Sequence, residues 1–259
     1  MCGIAGIAAP GSVKYDRALQ KMIAAISHRG PDGNGKYSFE NCTLGHTRLS
    51  IIDLFTGHQP MLTPDKKIGI VFNGEIYGYK LIKSKLHDYP FLTTSDTEVI
   101  LALYQKYQSA LLDHLPGMFA FAVWNEGAQE LFCARDRFGE KPFYYAFGNH
   151  GEFIFASEIK AILASGLLRP VLDVSSVVHY LKKLYVHPSQ TIYSNIFTLP
   201  PSHYLIWKNN KIQLKRYWEL PRVRENIGIQ EAVEQFKSLF EKAVQNQIVA
   251  DVPVAAFLS

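Results

Sequence analysis

The chain is poor in cysteine. Three occur in 259 residues, Cys2, Cys42 and Cys133, and no two form a C-x-x-C pair. That spacing speaks against a disulfide framework and against a zinc site, and the simplest setting for it is a reducing, cytoplasmic one. No run approaches the ~18 apolar residues needed to span a bilayer, so no membrane segment is expected. The N-terminus lacks the basic stretch and apolar core of a secretory signal. Charge of one sign is scarce as well: 27 basic residues face 23 acidic ones, for a formal net charge of +4. The basic residues are scattered, with only short pairs such as Lys182-Lys183 and Lys215-Arg216, which excludes the clustered stripe of a nucleic-acid binder. Repeats and low-complexity tracts are missing too. What remains is an ordinary globular composition, 47% hydrophobic and 19% charged, at a length that suits one large domain or two modest ones.

Local pattern supplies the elements. Residues 3–9 are small and apolar and read as a buried strand. Residues 15–28 carry Leu19, Met22, Ile23 and Ile26 at helical spacing, and the helix is expected to stop before His28-Arg29-Gly30-Pro31-Asp32-Gly33. Short β-rich runs bounded by Gly, Pro, Asn or Asp follow at 42–52, 68–73, 119–124, 131–135, 143–147 and 153–156. Helices are expected at 79–87, 95–107, 157–165 and 174–184, and a hairpin region at 196–218. Thr93-Thr94-Ser95-Asp96 offers capping side chains, so Asp96 falls at a helix start. A polar linker opens at Pro221, an amphipathic helix covers about 229–248, and residues 251–259 read as a final apolar strand. Strands in two groups with helices before and after indicate α+β layering rather than alternating βαβ units.

Cys2 is the first candidate for chemistry. A thiol becomes a good nucleophile when a base takes its proton. Removal of Met1 would leave Cys2 with a free α-amine, which titrates at about 8 and sits on the same residue as the thiol. The alternative is that Cys2 is a small apolar residue opening a buried strand. Other candidates have similar bland readings: Arg48 as an ion pair, Asn73-Gly74 as a hairpin turn, Asp96 as a helix cap.

The joint pattern is more specific than any one residue. Met1-Cys2-Gly3-Ile4-Ala5-Gly6-Ile7 resembles the start of class II glutamine amidotransferases, whose glutaminase is an N-terminal nucleophile hydrolase. The blocks His28 to Gly33, His46 to Asp53, Phe72 to Tyr77, Thr94 to Glu98, Gly117 to Ala122, Ala134 to Pro142 and Phe155 to Ala161, in this order, resemble glutamine-dependent asparagine synthetases across nearly the whole chain. Related sugar-phosphate aminotransferases carry Trp where Leu49 stands, and β-lactam synthetases lack the nucleophilic Cys.

The resemblance implies a four-layer αββα sandwich of antiparallel sheets over residues 2–218. Residues 219–259 would then be a linker and the truncated first helix and strand of an α/β synthetase domain. It implies that L-glutamine is the substrate and that Cys2 attacks its side-chain amide. Asn73 and Gly74 would hold the developing oxyanion. Arg48 would bind the substrate carboxylate as a two-pronged fork, Asp96 the ammonium, and Glu75 would orient that same end. Leu49, Ser50, Ile51 and Ile52 would form a pocket-lining strand. The His28–Gly33 run would shape the pocket and an interface, and Arg135–Lys141 would be a structural loop. No cofactor is expected for glutamine hydrolysis. In whole family enzymes ATP and Mg²⁺ act in a second domain, where Leu258 would touch adenine and Ser259 would open the phosphate loop. Expected partners are a separate synthetase domain or a second copy of the chain. Two other readings stay open, a non-catalytic module of the same fold and a glutaminase half that serves a different acceptor.

Overall fold

The structure, a computed structural model, describes residues 1–222 and 227–257. Among the described residues twelve strands occur in chain order: β1 (Gly3–Ala8), β2 (Gly33–Ser38), β3 (Cys42–Arg48), β4 (Met61–Leu62), β5 (Ile68–Ile76), β6 (Gly117–Asn125), β7 (Glu130–Arg135), β8 (Tyr144–Phe147), β9 (Phe153–Ala156), β10 (Ile196–Thr198), β11 (His203–Lys208) and β12 (Lys211–Arg216). The α-helices are α1 (Asp16–Ala25), α2 (Tyr79–Lys83), α3 (Asp96–Tyr107), α4 (Ile159–Ala164), α5 (Val174–Lys183) and α6 (Ile229–Gln247). One antiparallel sheet runs β10-β8-β9-β1-β3-β2 and the other β12-β11-β7-β6-β5-β4.

Alternation along the strands builds the layers. On β6, Phe119, Phe121 and Val123 join a core with Val99, Ile100 and Leu103 of α3. Ala120, Ala122 and Trp124 turn the other way and meet Ile4 and Ala8 of β1 in the core between the sheets. On β1, Ala5 and Ile7 point outward to Leu19, Met22 and Ile23 of α1 and to Ala161 and Ile162 of α4. The order of layers is therefore α3, sheet, sheet, α1 with α4: an α+β sandwich of two antiparallel sheets. The core between the sheets mixes small residues such as Ala8, Ala120 and Ala122 with large ones such as Trp124, Phe143, Phe153, Phe155 and Trp207. Among the described residues no helix is long and apolar enough to cross a membrane.

Several boundaries differ from the sequence reading, each for a local reason. The first helix is shorter than 15–28, since 3₁₀ turns at Ser12–Tyr15 and Ser27–Arg29 flank it. The run 42–52 is a strand only to Arg48, and Leu49 to Ile52 form a loop. The helix expected at 79–87 ends at Lys83. Of the hairpin region only β11 and β12 form a hairpin, around Asn209-Asn210, while β10 pairs with β8 in the other sheet. The described part of the final apolar strand, 251–257, is not a strand. Ser259 and Leu258 lie outside the described residues. Helix α6 forms as expected, with none of its residues buried and Phe236, Leu239 and Phe240 exposed.

Candidate active site

Pairing of β1 with β3 sets Gly3 opposite Thr47 and brings Cys2 to the end of β3. There the Leu49 N–H donates to Cys2 Sγ at 3.4 Å, and the Leu49 carbonyl lies 3.5 Å from the same sulfur. Burial raises the Cys2 thiol above its ordinary value, while the Leu49 N–H, the terminal amine and Arg48 pull it back down.

The His28–Gly33 run clamps this strand end. Arg29 Nε donates to the Cys2 carbonyl at 2.9 Å, and its Nη1 pairs with Glu158 at 3.0 Å. Glu158 also takes His28 Nε2 at 2.8 Å and Lys160 Nζ at 3.2 Å. Gly30 lies flat on β3: a Cβ there would fall 2.2 Å from the Arg48 nitrogen, so no side chain fits. Beyond it the Asp32 carboxylate accepts the Ser50 N–H at 2.7 Å.

Strand β5 supplies the opposite wall. Asn73 is 1% exposed, and its Nδ2 has no hydrogen-bond partner among the described residues. Such a buried, unused donor is uncommon and calls for an explanation. Gly74 follows, where a Cβ would sit 2.1 Å from the Met118 carbonyl of β6. Behind this strand, His46 Nε2 bonds the Phe72 carbonyl at 3.2 Å. Burial pushes His46 down to about 3, so it is a neutral ring and a poor base.

Helix α3 and the loop after β3 close the ends. Ser95 caps α3 by accepting the Thr97 N–H at 3.2 Å. Asp96, the first helical residue, accepts the Ile76 N–H at 3.0 Å. Burial lifts Asp96 to about 7 against that bond, and the nearby Glu75 charge adds to the rise. Burial also raises Glu75, which Lys141 opposes. Arg48 is 7% exposed. Its Nη1 donates to the Leu54 carbonyl at 3.4 Å and its Nη2 to the carbonyls of Ile52, at 3.5 Å, and Asp53. The guanidinium is thus anchored in main-chain oxygens rather than presented as a free fork.

These groups share one cavity of about 80 Å³, lined by Cys2, Arg48, Leu49, Ile51, Ile52, Asn73, Gly74, Glu75 and Asp96. Ser50 is not among the lining residues, its N–H donates to Asp32, and Leu258 falls outside the described residues. The sequence reading missed Gln59, Phe72, Ser95, Thr97, Met118 and Lys141, which also form the wall. Lys141 is the consequential omission. Its loop folds inward because the fully buried Asp136 accepts the N–H groups of Phe119, Phe138, Glu140 and Lys141 at 3.2, 3.1, 2.9 and 3.0 Å. Lys141 Nζ lies 3.3 Å from Met1 Sδ. Burial lowers the terminal amine, and the charges of Arg29 and Lys141 lower it further. An acid followed by Gly139 and Pro142 is the sequence signal for such a loop, but nothing in it says which way the lysine points.

Comparison with known proteins gives a consistent picture. A family model described as a glutamine amidotransferase domain matches residues 1–218. The protein named asparagine synthetase [glutamine-hydrolyzing] 3 of Bacillus subtilis is 36% identical over 269 residues, covering all of this chain and 43% of that protein. The amidase chry2 of Gibberella zeae is 37% identical over 250 residues, covering 93% of this chain and 36% of that one. The chain therefore spans less than half the length of these relatives. Among solved structures, one titled as the allosteric regulatory enzyme of purine biosynthesis superposes with a TM-score of 0.63 at 19% identity, over 83% of this chain and 49% of that one. This last likeness concerns the fold.

Proposed function

This chain belongs to the glutamine amidotransferase domain family, and from that premise we propose that it hydrolyses L-glutamine to L-glutamate and ammonia through a thioester on Cys2. The observation that carries the reading is the shared cavity. The Cys2 sulfur and the unpartnered Asn73 Nδ2 line it together, with the Arg48 guanidinium and the Asp96 carboxyl.

Once Met1 is removed, the α-amine of Cys2 takes the thiol proton. Burial, with the charges of Arg29 and Lys141, lowers the Met1 amine at this chain end, and the same neighbours would favour a neutral Cys2 amine once Met1 is gone. The sulfur attacks the side-chain amide carbon of glutamine, and the carbonyl π electrons move onto oxygen. Asn73 Nδ2–H and the Gly74 N–H hold that oxyanion. The protonated amine passes its proton to the leaving nitrogen, the C–N bond breaks, and ammonia departs. Water then loses a proton to the same amine, adds to the thioester, and glutamate leaves as the thiol is restored. Asp96 receives the substrate ammonium, with Glu75 beside it, and Arg48 receives the carboxylate.

Where a synthetase domain is joined to or associated with this chain, the ammonia would be passed to it for conversion of aspartate to asparagine with ATP and Mg²⁺. Val252 to Phe257 offer no polar side chain to hold phosphate or a metal. The likeness to amidase chry2 favours a second reading at that point, in which the same glutaminase half serves another acceptor.

The test is ammonia release from glutamine by the purified chain and by Cys2→Ala. The parent is expected to turn over, and the variant to lose turnover while still binding glutamine. Equal rates in the two proteins would remove Cys2 from the chemistry.

A further inference from the structure

The loop after β3, residues 49–57, forms one side of the cavity through Leu49, Ile51, Ile52 and Gly57. Asp53 is its hub. Its φ is 53°, a left-handed conformation that a residue with a side chain adopts only when neighbours hold it there. Its carbonyl accepts from Arg48 Nη2 and from the Gly57 N–H at 3.2 Å. Its carboxylate accepts the Thr56 N–H at 2.8 Å, the Thr56 hydroxyl at 2.6 Å and the Thr94 N–H at 2.8 Å. Burial would raise this acid, but the Thr56 and Thr94 bonds prevail and hold it at about 2. Asp53 thus joins the Arg48 end of the cavity to the residues that lead into Ser95 and Asp96.

Asp53 is itself held from far along the chain. Its N–H donates to Asp251 Oδ2 at 2.8 Å, and the Asp251 N–H donates to the Ile51 carbonyl at 2.9 Å. Among the described residues these two are the only hydrogen bonds between 227–257 and 1–222. Helix α6 buries no residue, so little else ties this segment to the body. The segment after α6 is pinned at the loop that positions Arg48.

We infer that Asp251 is a positioning residue for glutamine: it brackets Ile51 and Asp53, fixes the Arg48 anchor, and couples segment 251–257 to occupancy of the cavity. The inference rests on the function proposed above. Asp251 does not touch the reacting atoms, so its loss weakens substrate binding and spares the chemical step. Coupling is reciprocal: whatever restrains segment 251–257 raises glutamine affinity, and glutamine in turn restrains the segment.

The experiment compares the full chain with Asp251→Ala and Asp251→Asn. It measures ammonia release against glutamine concentration, melting temperature, and amide hydrogen exchange over residues 49–57. For Asp251→Ala the KM is expected to rise roughly five- to tenfold, as suits one lost hydrogen bond, with kcat little changed and the melting temperature held. Exchange over the loop is expected to quicken. Asp251→Asn, whose side-chain oxygen still accepts the Asp53 N–H, is expected to restore both. An unchanged KM and unchanged exchange in a folded Asp251→Ala would overturn the inference. So would a raised KM with a fallen melting temperature and no rescue by Asn, which is general loosening. If the parent releases no ammonia, the proposed function fails instead, and loop exchange alone decides whether Asp251 holds the loop.

Discussion

Asp96 is a carboxyl group that the fold keeps from water, with the Ile76 N–H donating to it and the backbone N–H groups of Thr97 and Asp96 lending smaller support. Its proton affinity rises from 3.8 to about 7 as a result. Below about pH 4 the group is protonated whether the chain is folded or not, and it costs nothing. As pH climbs toward 7 the unfolded chain has lost this proton and the folded one keeps it, so stability falls. Above 7 the whole penalty, on the order of 4 kcal/mol at most, is present. Asp96→Asn is therefore expected to melt higher than the parent at pH 8, by roughly 2–4 °C per kcal/mol recovered, and to melt like the parent at pH 4, while losing glutamine binding. Matching melting curves at pH 8 would contradict the burial argument. At this scale the sequence was informative about identity and silent about state. Asp96, Asn73 and Cys2 could be singled out, but the free Nδ2 of Asn73 is a property of its surroundings. Ser50 stands among cavity residues in the chain, and its own N–H is turned to Asp32.

At the scale of elements, regular alternation was readable and irregular backbone was not. Strand β6 shows its two faces in its letters, since Phe119, Phe121 and Val123 differ from the neighbours between them. Strand β2 hides because Gly33, Asn34, Gly35 and Lys36 carry no apolar face, and most of it is exposed. Leu49 to Ile52 look like more of β3, but main-chain carbonyls from Ile52 to Leu54 are claimed by Arg48, and the ladder ends. The Arg135–Lys141 loop depends in the same way on one acid. Asp136→Ala would strip the acceptor from four N–H groups around a fully buried side chain. A loss of several kcal/mol is expected at about 1–3 kcal/mol per orphaned group, seen as a clearly lowered melting temperature in a thermal scan. A melting temperature equal to the parent's would mean the loop is held by something else.

At the scale of the molecule, the sandwich serves to bring remote residues to one place. The N-terminal strand end, the end of β3, the middle of β5 and the start of α3 meet around one cavity; Lys141 reaches it from further along, and Asp251 bonds the loop beside it. The α+β layering was legible in the grouping of strands and helices, whereas the four-layer order came with the family resemblance. The attachment of Asp251 to the loop after β3 was not legible, since it rests on two hydrogen bonds and no pattern. The fold also sorts the three thiols. Cys42 and Cys133 lie fully buried in the core between the sheets, where burial raises both well above 9 and leaves them inert, while Cys2 stands at the cavity. The most direct measurement is peptide mapping after the protein reacts with a glutamine-shaped electrophile. The account predicts a single adduct, on Cys2, in chains that have lost Met1. Labelling at Cys42 or Cys133, or equal labelling of chains that retain Met1, would contradict it.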